Sequence, residues 1–90
     1  MKTKEFDYSG PAELYIAGKR RAGRHAMTYR RFDTAAKAIR YSIEELPAAN
    51  QAGTVLEVDE ERYHHREIRK LYEASAYPLR RQVTEVRDAS

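Results

Sequence analysis

The chain has 90 residues, with 17 Lys and Arg against 14 Asp and Glu and no cysteine. That length suits one small domain and not two, and the missing thiols exclude disulfides, zinc ribbons and cysteine nucleophiles. A net charge of +3 is by itself a weak pull on polyanions, so the placement of the charges matters more than their sum.

Five Leu, four Ile, four Val and two Phe make 15 large apolar residues in 90, below the ~20% that accompanies disorder when net charge is high. Here net charge is low, seven Tyr add apolar bulk, and the apolar positions recur with clear periods. The expectation is a folded domain with a thin core. The opening "MKTKEFDYSGPAEL" lacks the apolar centre of a secretory signal, and no apolar run approaches the length of a membrane span. A cytoplasmic protein without a membrane partner is expected.

Residues 1–12 mix charge with the turn formers Ser9, Gly10 and Pro11 and read as an arm. "ELYIAGK" then alternates, with Leu14 and Ile16 to one side and Tyr15 and Ala17 to the other. "RRAGR" supplies Gly23 for a turn, and "HAMTYRRF" returns as a second strand. At Asp33 or Thr34 the period changes, since either side chain caps a helix. Ala35, Ala36, Ile39, Ile43 and Leu46 then fall on one helical face, and Pro47 stops the helix. "PAANQAG" reads as a loop and "TVLEVD" as a short strand. Asp59, Glu60 and Glu61 suit the start of a second helix, where carboxylates meet the positive dipole end. That helix carries Ile68, Leu71 and Tyr72 on one face and ends at Tyr77-Pro78.

The fold class expected is α+β: a small single domain in β-β-α-β-α order, with a three-stranded sheet covered by one or two helices. The third strand lies either parallel to the second through a crossover or antiparallel beside the first. The domain runs over residues 13–79, and 80–90 form a mostly disordered tail of scattered charge.

Four phrases, "FDYSGPAELY", "YRRFDTAAKAIRYSIEELP", "LEVDEERY" and "LYEASAYPL", together cover about half the chain. In these the chain resembles a small uncharacterised protein family of alphaproteobacteria. The resemblance implies a small stand-alone domain; that family has no assigned activity, so it implies no residue role.

The densest chemical feature is "GKRRAGRHAMTYRR", with Lys19, Arg20, Arg21, Arg24, Arg30 and Arg31 and no acid between Glu13 and Asp33. Such a cluster projects a positive field over about 8 Å at physiological salt, and a two-stranded ribbon is narrow enough to follow phosphates. Tyr15 and Tyr29 are stacking platforms beside it. The candidate nucleic-acid-binding set is Lys19, Arg20, Arg21, Arg24, Tyr29, Arg30 and Arg31. The competing reading is a solvated rim, because turns are wet and alternation sends Arg30 and Arg31 to opposite faces. A basic stripe at Arg62, Arg66, Arg69 and Lys70 on the second helix extends the patch only if both lie on one side of the sheet; Glu73 is spaced to pair with Arg69.

His64 and His65 are adjacent and diverge by about 100° on a helix, which is poor geometry for one metal, and no HExxH-type motif is present. The carboxylates at 59–61 are accounted for by helix capping, and Ser9, Ser42 and Ser75 lack a nucleophile elbow. No phosphate-cradling glycine motif occurs. The expectation is a protein that is not an enzyme, with no cofactor and no metal. Two functions stay open: a low-specificity nucleic-acid or polyanion binder using the basic hairpin, or a protein-interaction module, including a weak homodimer, using sheet edges and Tyr/Arg surface.

Overall fold

The alternation in "AELYIA" builds strand β1, Ala12–Arg21, and "HAMTYRRF" lies in β2, Arg24–Phe32, paired antiparallel to it. The computed structural model describes residues 6–21 and 24–81, with side chains for 6–17 and 27–81. The turn assigned to Gly23 therefore lies outside the described residues, as do residues 1–5 of the arm and 82–90 of the tail. Ala12, Leu14 and Ile16 are buried on one face of β1. A register shift between Ala17 and Arg20 marks a bulge, which sharpens the local twist of the ribbon.

Helix α1 spans Ala35–Arg40 and is capped by Thr34, whose Oγ1 accepts from the Lys37 amide at 3.2 Å. Two more of its free first-turn amides are satisfied by the preceding segment, Ala35 N donating to Gly10 O at 2.7 Å and Ala36 N to Tyr8 O at 3.0 Å. A π-helical turn, Tyr41–Glu45, continues the helix to Leu46, which is extended before Pro47. The wide turn rotates the expected face: Ser42 is fully buried while Ile43 and Leu46 are half-buried. The stretch expected as a loop contains a one-turn helix, α2 (Ala48–Gln51). Its Asn50 Nδ2 donates to Ala17 O at 2.8 Å, binding α2 to β1.

Strand β3, Val55–Val58, pairs antiparallel with β1 over Glu13–Tyr15. It therefore runs in the same direction as β2, with β1 between them, which joins the two sheet arrangements left open above. The sheet then departs from expectation. Asp59 and Glu60 have φ of 55° and 68° and form a two-residue hairpin turn, and Glu61–Tyr63 returns as β4 against β3. The sheet has four strands in the order β2-β1-β3-β4, not three. Among the described residues the element order is β-β-α-α-β-β-α.

The final helix, α3, accordingly begins at His65 and ends at Glu73, later and earlier than expected. Its cap is a box between His64 and Glu67, with the His64 amide donating to Glu67 Oε1 at 2.7 Å. Ala74 is already extended, because the chain must fold back to bury Tyr77.

α1 and α3 cover one face of the sheet. Leu14, Ile16, Leu56 and Val58 meet Ala35, Ala36, Ala38, Ile39, Ile68, Tyr72 and Tyr77 there. The small alanines let α1 approach closely, and tyrosines supply the bulk that aliphatics lack. Tyr8 packs edge-on to Phe6 at 4.8 Å and to Tyr77 at 6.0 Å, and Tyr77 meets Tyr72 at 5.1 Å. The Tyr8 hydroxyl donates to Leu71 O at 2.9 Å, and Phe6 and Tyr8 pack against the core while Asp7, Ser9 and Pro11 stay exposed. No helix among the described residues is long and apolar enough to cross a membrane.

Candidate functional site

With α1 and α3 on one face, the other face of the sheet is open among the described residues. Directly opposed residues of an antiparallel pair share a face, so the register writes out the open surface row by row. One row reads Arg31, Glu13, Glu57, Arg62 across β2, β1, β3 and β4. The next reads Tyr29, Tyr15, Val55, and beyond it Met27 faces Ala17. Among the described residues, Met27 and Tyr29 are the large apolar side chains most open to solvent, 62% and 52% exposed.

The two tyrosines form one aromatic patch, their ring centroids 5.3 Å apart and tilted by 53°. Tyr15 Oη donates to Glu13 Oε1 at 3.3 Å. Partial desolvation and the neighbouring Glu13 push both phenols above their usual ionisation. Arg62 Nε lies 3.9 Å from Glu57 Oε1. A cleft of about 220 Å³ opens beside this row, lined by Pro11, Glu13, Arg31, Glu57, Asp59 and Glu60. The centre of the face is thus acidic and aromatic, with arginine at each flank.

The candidate residues separate on this frame. Tyr29 and Arg31 lie on the open face. Arg30 belongs to the helix face, where its guanidinium sits over the rings of Tyr41 at 4.6 Å and Phe32 at 5.3 Å. Lys19, Arg20, Arg21 and Arg24 occupy the outer part of the β1–β2 hairpin, beyond the Glu13–Tyr15 segment that β3 pairs. The second basic stripe divides as well. Arg62 is in β4 on the open face, while Arg66, Arg69 and Lys70 ride on α3 behind the sheet, and Arg69 pairs with Glu73 at 3.9 Å.

Sequence reading placed Tyr15 and Tyr29 beside the hairpin but missed Glu13, Glu57, Arg62 and Met27 as members of the same face. Alternation in β1 marks Glu13 and Tyr15 as outward; only the register with β3 and β4 adds Glu57 and Arg62. The histidines serve local structure at His64, which caps α3, and His65 is half-buried with Nδ1 unpaired among the described residues. No group of three or more metal-ligating side chains occurs among the described residues. No family model, curated protein or solved structure matches this chain.

Proposed function

We propose that the protein is a non-enzymatic binding module for single-stranded nucleic acid, held with low sequence specificity on the open sheet face and along the basic hairpin. The observation that carries this reading is the placement of Tyr15 and Tyr29 side by side on adjacent strands, with Tyr29 half exposed, at the root of a ribbon rich in lysine and arginine. Bases stack on such side chains whatever their identity, because every base has a π-face. Arg31 and Arg62 at the flanks and the cations at positions 19, 20, 21 and 24 supply the phosphate contacts. Glu13 and Glu57 repel phosphate and accept hydrogen bonds from exocyclic amines and ribose hydroxyls, which directs the backbone to the rim and the bases inward. A single strand fits this arrangement better than a duplex, whose bases are already stacked.

Fluorescence anisotropy with labelled single strands of about 10 nucleotides, within the footprint of small sheet platforms, tests the reading. With four to six phosphates engaged, log affinity should fall against log salt with a slope of about −3 to −4. Tyr29→Ala should weaken binding by about 1–3 kcal/mol, roughly 5- to 150-fold. Arg20, Arg21 and Arg24 changed together to Glu should remove most of the salt dependence, whereas the same change at Arg66 and Arg69 should leave affinity near that of the wild type. Affinity no better than about 0.1 mM for every RNA and DNA near physiological salt would remove the proposal.

A further inference from the structure

β2 is the outer strand of the sheet along all nine residues, Arg24–Phe32. One edge is spent on β1; no backbone hydrogen bond among the described residues leads from the other edge to another element. The helix layer stops short of it, since Thr28 and Arg30 are exposed on the face that elsewhere is covered. Met27 and Tyr29, the exposed apolar pair, both belong to this strand and to its open face. A long unpaired strand with apolar side chains is a template for another strand unless charge guards it. Of its described arginines, Arg30 is drawn back over the rings of Tyr41 and Phe32, and Arg31 is the register partner of the acidic Glu13.

We infer that a second copy of the chain pairs antiparallel along this edge, with Thr28 against Thr28 on the two-fold axis, so that two four-stranded sheets join as one. The register follows from the residues. Only pairings whose residue numbers sum to an even value keep both open faces on one side, because side chains alternate. Centring on Thr28 uses the whole strand and sets Met27 of each copy beside Tyr29 of the other. It places Arg30 opposite Ala26, Arg31 opposite His25 and Arg24 opposite Phe32, so no two arginines meet. Centring on Met27 would oppose Arg24 and Arg30, centring on Arg30 would oppose Arg30 to itself, and centring on Tyr29 would put Met27 against Arg31. Like charges directly opposed are destabilising and apolar pairs stabilising. In the chosen register the row Val55, Tyr15, Tyr29 runs on through Met27 and Ala17 of the second copy, which extends the open platform across the joint.

Disulfide trapping without nucleic acid tests this independently of the binding proposal, and the chain has no cysteine of its own. Adjacent cross-strand pairs have Cα separations of about 4.5 and 5.5 Å, both within the roughly 4.4–6.8 Å that a disulfide spans. Thr28→Cys alone, and Met27→Cys mixed with Tyr29→Cys, therefore sample both pair types. Under mild oxidation we expect one or both to form covalent dimers at least about tenfold faster than Arg69→Cys on α3, because pairing raises the local thiol concentration. The mixture should yield the mixed dimer in preference to either homodimer. Wild-type mass in sedimentation equilibrium should rise toward that of a dimer with concentration. Trapping no faster than the Arg69→Cys control in both arrangements, equal trapping of Met27→Cys with itself, or a monomer mass up to about 1 mM would overturn the inference.

Discussion

Tyr77 shows what a thin core costs at the level of one side chain. Its ring is 6% exposed and packs on Tyr72 and Tyr8, yet its hydroxyl finds no hydrogen-bond partner among the described residues. Burial, with the negative charge of Glu44 nearby, pushes its ionisation up to about 12. An unfolded tyrosine ionises near 10, so the unfolded chain loses its proton first as pH rises. The contribution to stability is therefore intact below about pH 10 and is lost between pH 10 and about 12. Tyr77→Phe should be neutral or up to about 1 kcal/mol more stable at pH 7, and its urea midpoint should fall less steeply above pH 10. A loss above about 2 kcal/mol at pH 7 would mean the hydroxyl is satisfied. Arg81 is the converse case. Its Nε and Nη2 donate to the carbonyls of Tyr72 and Ala74, both at 2.7 Å, closing the end of α3, and its guanidinium lies over the rings of Tyr72 and Tyr77. Arg81→Ala should cost about 1–3 kcal/mol in urea unfolding. Arg81→Lys should recover little, because an ammonium cannot make the forked contact.

At the scale of elements, strong local signals were legible and weak ones were not. Alternation around Leu14 and Ile16 marked β1, and Thr34 with the run to Leu46 marked α1, because each has a period and a boundary of its own. β4 has three residues, two of them charged and exposed, so nothing periodic announces it. The same carboxylates that read as a helix start at 59–61 form a hairpin turn instead, with Asp59 and Glu60 both in the left-handed region. That choice is won by pairing with β3, a tertiary effect that local preference does not register. Glu60→Gly tests it. Relief of a left-handed backbone is worth about 1–2 kcal/mol, and glycine's extra chain entropy takes back about 0.5–1. Urea unfolding should show a net gain of up to about 1.5 kcal/mol, whereas glycine at a true helix start would lower stability.

At the scale of the whole molecule, the fold sorts its charges and aromatics into two faces, and the candidate site is the one that, among the described residues, neither α1 nor α3 covers. Tyr29 and Arg31 could be assigned to a common face from β2 alone, with Arg30 turned away. The row through Glu13, Glu57 and Arg62 depends on which strands become neighbours, and that information is non-local. It also moves the centre of the site from the charged turn to the sheet surface at its base. The proposed function requires two chemistries to act together on the open face: stacking at Tyr15 and Tyr29, and phosphate contacts from the hairpin and the flanking arginines. The most direct measurement of that claim is a ¹⁵N-resolved NMR titration with a short RNA single strand near physiological salt. The largest shifts are expected at Glu13, Tyr15, Ala17, Met27, Tyr29, Arg31 and Val55, with the amides of α1 and α3 unmoved. Shifts concentrated on Arg66, Arg69 and Lys70 of α3, or no shifts at all, would contradict it.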